Sequence, residues 1–279
     1  MRNMVIDSHQ HFWKYNAAEY GWIDPSKSVI QRDFLPADLL PLLAPAGVDG
    51  VISVQARQSL EETHWLLGLA SDNKFIRGVV GWVPLISEKV KNDLEAVGAD
   101  PKLRGIRHVL ESEADDQFMV RDDFNRGLSL LKEFGLAYDI LIFARQLPSA
   151  IRMVDRHPEQ VFILDHIAKP GIKAAERDPW AKYIKEISRR TNVYCKVSGM
   201  VTEADWQAWT DAGLREYFDI VLEAFGPARL IAASDWPVCL VACGYKRWWD
   251  IQRQWAAGLS TAEQEQFLGL NAVKAYGLK

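Results

Sequence analysis

Eight short apolar runs recur along the chain at roughly regular intervals, and amphipathic segments of helical length separate them. A strand followed by a helix, repeated eight times, is typical of an α/β protein with the (β/α)8 TIM-barrel fold. A doubly wound open sheet is the alternative, but it normally has fewer strands and often has a glycine-rich loop after the first one. The runs span residues 4–11, 48–56, 75–85, 103–110, 135–143, 160–168, 192–199 and 229–237.

No linker or shift in composition divides the chain, so we expect a single barrel domain over residues 1–279. The longest predicted loop, residues 12–35, follows the first run and combines aromatic with polar side chains. Long loops in compact domains are often functional. We therefore predict that this loop covers the strand ends as a lid. At the other end of the chain, Ser260 or Thr261 is a candidate helix N-cap.

Charge and hydropathy exclude several classes of function. The net charge of −4 gives no basic footprint for nucleic acid, and no apolar stretch approaches the 18 residues of a membrane span. The N-terminus lacks the apolar core of a signal peptide, and three cysteines are too few for a disulfide framework. These features predict a cytoplasmic protein with a small-molecule partner. They do not predict an oligomeric state.

Polar side chains collect where the predicted strands end, which is where a barrel of this kind builds its active site. Burying such groups costs about 2–7 kcal/mol each unless they pair or bind a ligand. Their convergence on one rim therefore indicates a functional site. In chain order they are His9 and His11, Gln55, Trp82, Arg107 and His108, Asp139, Asp165 and His166 with Lys169, Lys196 and Ser198, and Asp235.

His9 and His11 lie two residues apart on the first predicted strand, so their side chains point to the same side. Such a pair arises by chance and is often explained by packing alone. With His166 after the sixth strand and Asp235 after the eighth, packing becomes a weak explanation. The four residues predict a site that holds one metal ion or grips one substrate oxygen.

The motifs DSHQHFW, GIRH, LDHIAKP, KVSG and ASDWP resemble those of the amidohydrolase superfamily. Together with VQA and ETHWLL they resemble its branch of sugar-lactone hydrolases, from the first strand to the last. The resemblance implies an enzyme that opens a lactone ester. Metal-rich members place a lysine on strand four or a metal-binding histidine on strand five. Here Arg107, His108 and Asp139 stand instead, which argues against a binuclear site.

The resemblance leaves two routes open. One divalent ion, with zinc best suited to such ligands, would be held by His9, His11, His166 and Asp235. Alternatively, catalysis proceeds without metal, as in some lactonases of this branch. By either route Asp235 is the predicted general base for an attacking water, and the three histidines with Arg107 stabilise the oxyanion. The chain has no GxSxG motif, so direct attack by water is favoured over a covalent intermediate.

A polyhydroxylated ring would need both hydrogen-bonding and aromatic partners. We expect a neutral aldonolactone, such as that of the deoxy sugars L-fucose or L-rhamnose. The alternatives are a dicarboxylate lactone, another metal-dependent amidohydrolase or decarboxylase reaction, and a non-catalytic sugar-binding barrel. The predicted substrate contacts are Gln55, Asp139, Lys196, Arg107 and His108 for hydroxyl groups, and Trp22, Trp82 and Trp236 for stacking.

Overall fold

A computed structural model describes residues 3–279 and shows eight parallel strands hydrogen-bonded in chain order. Each predicted run contains one strand, so the predicted (β/α)8 barrel is confirmed. The single-domain prediction includes Met1 and Arg2, which lie outside the described residues, and it stays a prediction. The strands are β1 Ile6–Gln10, β2 Gly50–Val54, β3 Ile76–Gly81, β4 Leu103–His108, β5 Ala137–Ile140, β6 Phe162–Leu164, β7 Val193–Val197 and β8 Leu230–Ala232.

Helices follow the strands, and side-chain caps fix several of their starts. The Ser59, Thr210 and Ser260 side chains each accept a backbone N–H in the first turn. Ser260, one of the two predicted N-caps, also forms a capping box with Glu263. None of the helices in the described residues is long and apolar enough to cross a membrane. The α-helices are α1 Pro36–Leu43, α2 Leu60–Asp72, α3 Val90–Gly98, α4 Asp122–Leu130, α5 Leu147–Asp155, α6 Trp180–Ile187, α7 Met200–Glu203, α8 Asp211–Phe225, α9 Tyr245–Ala256, α10 Thr261–Glu265 and α11 Asn271–Ala275.

Alternate residues of the strands pack on two sides. On β8, Leu230 and Ala232 join a large cluster with the surrounding helices, whereas Ile231 joins a smaller cluster with other strands. Ala272 and Tyr276, in and just after α11, belong to this smaller cluster. The period of two along the strands thus separates the interior of the barrel from the layer beneath the helices.

The chain segments after β8 and at the end of β1 close the barrel. Asp235 donates its backbone N–H to the His9 carbonyl at 2.8 Å, and His11 donates to the Trp236 carbonyl at 2.7 Å. The pairing of β1 with β2 shifts register between Asp7 and Gln10. Such a bulge re-aims the side chains that follow it. Closure and bulge together bring His9, His11 and Asp235 to the same end of the barrel.

The long loop after β1 is ordered, with a short helix at Pro25–Ile30. Trp13 and Phe34 exchange two backbone hydrogen bonds of 3.0 and 2.9 Å, so the ends of the loop meet. The Arg57 guanidinium contacts Glu19 of the loop at 2.7 Å. This contact places the loop beside the segment that follows β2, as the lid prediction requires.

Candidate functional site

Two histidines and one carboxylate converge at the end of β1. The Nε2 atoms of His9 and His11 are 3.1 Å apart. Asp235 Oδ1 lies 3.4 Å from His11 Nε2 and 3.8 Å from His9 Nε2. A third imidazole, that of His166, places its Nε2 3.9 Å from the same oxygen. All four side chains are buried, and the structure brings the predicted set together.

The partners of the ring nitrogens define what each imidazole can do. His11 Nδ1 is 2.8 Å from the Val54 carbonyl, which only accepts, so Nδ1 carries the hydrogen and Nε2 presents a lone pair. His9 Nδ1 faces an acceptor, Asp165 Oδ1 at 3.3 Å, and a donor, Lys196 Nζ at 3.2 Å. With Asp165 accepting, His9 Nε2 also presents a lone pair toward the cluster.

Burial and neighbouring charges set the protonation of the cluster. Burial lowers the pKa of His166 to about 4 and holds that of His9 well below its ordinary value, whereas the neighbouring carboxylates of Asp235 and Asp165 act in the opposite direction. Burial opposes ionisation of Asp235, but His166, His11 and His9 outweigh it and lower the pKa of that carboxyl below its usual range. Asp235 is therefore an ionised carboxylate among imidazoles.

Arg107 of β4 is held rigidly beside the cluster. Its Nη1 lies 3.1 Å from Asp165 Oδ2 and 3.3 Å from His9 Nε2, and its Nη2 donates to Gln55 Oε1 at 2.9 Å. Arg107 Nη2 also donates to the Gln55 carbonyl. Gln55 is fully buried, so it orients Arg107 and does not face substrate. The guanidinium is a fixed donor at the edge of the cluster.

His166 sits on an unusual backbone turn after β6. His166, Ile167, Ala168 and Lys169 all have positive φ, between 45° and 61°. Left-handed conformations are costly for residues with a Cβ, and they persist where surrounding contacts hold them. A Cβ on Gly199 would lie 2.8 Å from the His166 side chain, so only glycine fits beneath the turn. The turn directs both His166 and Lys169 to the strand ends.

A cavity of about 600 Å³ opens above the cluster. Its ionic groups balance: three basic residues face three acidic ones. Loop 12–35 contributes to the wall through Glu19, Gly21 and Trp22. Of the predicted residues, His11, Trp22, Arg107, His166 and Asp235 line the cavity, and His9 lies directly beneath it. The charged lining residues are Arg57, Arg107, Lys169, Glu19, Glu111 and Asp235.

The predicted contacts of Asp139 and Lys196 with substrate need correction. Both side chains are 0% exposed, and Lys196 Nζ contacts Asp139 Oδ2 at 2.5 Å and Asp165 Oδ1 at 3.0 Å. Tyr276, just after α11, donates to Asp139 Oδ2 at 2.7 Å. These groups form a buried floor under His9. They are satisfied by each other and do not line the cavity.

Three other predicted contacts also lie off the cavity. His108 pairs with Glu113 at 2.7 Å and stacks on Phe118, because it points to the outer side of β4. Trp236 is buried against Phe34 with ring centroids 5.2 Å apart. Trp82 follows β3 and is not among the residues that line the cavity. The expectation of direct stacking or hydrogen bonding to substrate does not fit these positions.

Sequence reasoning missed two ion pairs of the cavity wall. Lys169 contacts Glu111 at 2.6 Å, and Arg57 contacts Glu19 at 2.7 Å. Lys169, three residues after His166 in the LDHIAKP motif, was predicted at the rim, but its partner was not. Glu111 and Glu19 lie in loops without a pattern, so only the fold shows where they point.

The cluster fits one divalent ion. His9, His11 and Asp235 each offer a ligand atom, and these atoms lie within 4.8 Å of one another. Two nitrogens on a tetrahedral zinc at about 2.0–2.1 Å would be about 3.3 Å apart, close to the observed 3.1 Å. Asp165 can accept from His9 Nδ1, as the outer partner of a ligating imidazole does. His166 is not in this group of three.

Comparison with known proteins agrees with this architecture. A family model described as amidohydrolase matches residues 6–278. The chain is 41% identical to an L-fucono-1,5-lactonase of Burkholderia multivorans, covering 100% of this chain and 97% of that protein. It is 35% identical to an L-fucono-1,5-lactonase of Burkholderia ambifaria, covering 96% and 90%. A crystal structure of a Burkholderia multivorans amidohydrolase with bound zinc has a TM-score of 0.94 and 40% identity, covering 99% of this chain and 100% of that one.

Proposed function

This chain belongs to the amidohydrolase family, and from that premise we propose that it hydrolyses a neutral sugar lactone to the sugar acid. One observation carries the proposal: the Asp235 carboxylate lies 3.4–3.9 Å from three imidazoles at the floor of a charge-balanced cavity. The lactone of a deoxy sugar, L-fucono-1,5-lactone first and an L-rhamnonolactone second, is the proposed substrate. The names of the relatives support this choice.

The reaction is acyl transfer to water, and Asp235 is the proposed general base. Water attacks the lactone carbonyl carbon while its proton passes to the Asp235 carboxylate. The bond from that carbon to the ring oxygen then breaks, and the proton returns from Asp235 to the leaving alkoxide. The product is a hydroxy acid that ionises at neutral pH. The Asp235 carboxylate lines the cavity floor, where it can accept this proton.

The developing oxyanion needs fixed donors at the moment of attack. Arg107 supplies them, because Gln55 and Asp165 hold its guanidinium in place. The imidazoles of His9, His11 and His166 complete the polar floor. Removing an oxyanion donor such as Arg107 typically costs about 2.7–4 kcal/mol of transition-state stabilisation.

A divalent ion, if present, would be held by His9, His11 and Asp235. Such an ion would polarise the lactone carbonyl as a Lewis acid. The imidazole lone pairs and the Asp235 carboxylate suit it chemically. Arg107 lies close enough to His9 to act as the donor in the alternative route without metal.

The neutral substrate follows from the balance of charge. A dicarboxylate lactone would need an excess of basic side chains at the cavity, whereas here three acidic groups offset three basic ones. The same balance favours release of the anionic product. We therefore place the dicarboxylate lactone second among the candidates.

The decisive experiment is a panel of aldonolactones assayed by acid release at pH 7, with and without chelator. We expect rapid hydrolysis of deoxy-sugar lactones and slow hydrolysis of 2-pyrone-4,6-dicarboxylate. Failure to open any lactone in the panel, with zinc supplied, would exclude the proposal. Activity that survives chelation with no metal in the purified protein would favour the Arg107 route, and loss restored by zinc would favour the ion.

A further inference from the structure

We infer that Lys169 and Glu111 form the hydroxyl-reading element of the cavity, which selects polyhydroxylated lactones over plain ones. This inference rests on the proposed function and adds to it a specificity determinant. Neither residue belongs to the cluster around Asp235. Their role is to bind the part of the ring that does not react.

Lys169 and Glu111 are placed where a bound ring can reach them. Both residues line the cavity, and Lys169 Nζ lies 2.6 Å from Glu111 Oε2. Their side chains are 17% and 19% exposed, so they are sheltered yet open to a ligand. The buried Lys196–Asp139 pair is 0% exposed and can meet no substrate. Of the two pairs, only Lys169 and Glu111 can therefore form hydrogen bonds with a bound ring.

The backbone on both sides holds the pair in place. Lys169 ends the left-handed turn that begins at His166, and its N–H donates to the His166 carbonyl at 2.8 Å. Glu111 lies in the short helical turn after β4, where its N–H donates to the Leu141 carbonyl at 3.1 Å. Strained backbone persists where a side chain must be aimed. The turn aims Lys169 at the same space as His166.

The electrostatics keep the pair charged. Burial opposes protonation of Lys169, but Glu111 and Glu203 outweigh it and raise the pKa of the ammonium. A partly buried ion pair gains little stability, because the cost of desolvation offsets the attraction. The Lys169 ammonium also lies 5.4 Å from the centroid of the Phe143 ring, so packing accounts for part of its position. The exposed side of the pair remains available to a ligand.

The chemistry matches a vicinal diol. One hydroxyl can donate to the Glu111 carboxylate while its neighbour accepts from the Lys169 ammonium, and the two charged groups stay paired. A site built to bind hydroxyls rejects analogues that lack them, because its polar groups are then left without partners. A ring with only methylene groups gains nothing from this wall.

The test compares two six-membered lactones, L-fucono-1,5-lactone and unsubstituted δ-valerolactone, on wild-type protein and Lys169→Met. We expect the ratio of their kcat/KM values to fall about 10- to 100-fold in the variant, mainly through a higher KM for the sugar lactone. Glu111→Gln should shift the ratio in the same direction, and Lys169→Arg should restore part of it. Lys173→Met is the matched control, because Lys173 is 72% exposed and off this cavity.

The outcomes separate the two claims. A Lys169→Met protein that folds and retains the wild-type ratio would overturn the inference and leave the proposed function standing. An equal loss on both lactones would also overturn it, because that result indicates a role in the reaction itself. Wild-type protein that opens neither these two lactones nor any other lactone of the panel would overturn both. Thermal unfolding of each variant checks that it is folded.

Discussion

Two lysine–carboxylate pairs near the site differ in their exposure to the cavity. Lys196 and Asp139 meet inside the barrel with no exposure, bonded also to Asp165 and Tyr276. Lys169 and Glu111 meet in the cavity wall and stay partly exposed. The inner pair has no free direction for a ligand, so its effect passes through His9. The outer pair has such a direction, and this difference separates positioning from recognition.

The largest expected effect is on catalysis, at Asp235, which belongs to neither pair. Asp235→Asn removes the proton acceptor, and we expect lactone hydrolysis to fall about 10²–10⁴-fold. Asp235 has φ of 59°, and asparagine tolerates that conformation well, so the fold should survive. Acid release at pH 7 measures the loss. Asp205→Asn, an exposed carboxylate off this cavity, is the control. Wild-type rates in Asp235→Asn would contradict the proposed base.

The next effect sets the inner pair against the outer one. Lys196→Met leaves buried carboxylates without their cation, and we expect the free energy of unfolding to fall by about 3–5 kcal/mol. Lys169→Met should lower it by only about 1 kcal/mol, because that pair is partly solvated. Urea unfolding compares them, with the exposed Lys185→Met as the control. Equal losses of unfolding free energy in Lys196→Met and Lys169→Met would show that the buried pair and the cavity pair do not differ in their contribution to stability.

A third prediction concerns Glu62, which lies under the loops of the rim. Burial raises its pKa to about 7, although the Ala56 and Arg57 N–H groups favour the ionised form. The folded protein therefore binds this proton more tightly than the unfolded chain, whose pKa is 4.5. Stability from this group is full below about pH 4.5 and is lost as the pH rises through 7, by about 3 kcal/mol.

Glu62→Gln imitates the protonated form and should flatten this dependence. Glutamine can still accept from Ala56 and Arg57, and its amide can donate to Tyr20. Urea unfolding of the wild type and the variant at pH 5 and pH 7.5 measures how much the free energy of unfolding of each protein changes between the two pH values. An equal change in the free energy of unfolding for the two proteins would show that Glu62 is ionised at both pH values.

The smallest expected effect concerns the buried groups beneath His9 and tests whether they take part in catalysis. Tyr276→Phe removes the hydroxyl that donates to Asp139, while Lys196 still pairs with that carboxylate. We expect a loss of about 1–2 kcal/mol in the free energy of unfolding and only a modest loss of activity. Thermal unfolding and the lactone assay measure the two. A loss of activity as large as that of Asp235→Asn would mean that the floor takes part in the reaction.

The periodicity of the sequence accounts for the barrel and for the cluster of His9, His11, His166 and Asp235. Strand ends of a parallel barrel meet at one face, so residues far apart in sequence converge without any detailed model. The depth of a side chain along its strand is a different matter. Lys196 and Asp139 look like rim residues in the sequence, yet they lie one layer below the cavity, where Tyr276 reaches them from α11.

The sequence by itself determined the eightfold βα order, the family and the histidine pair, because these depend on local patterns and motifs. Only the tertiary structure decided which side of β1 the pair faces. Counting in twos from the inward Ile6 would turn His9 outward, and the bulge between Asp7 and Gln10 reverses that order. It also decided that Glu111 meets Lys169 in the cavity wall, where a left-handed turn that no pattern of residue types predicts directs the lysine.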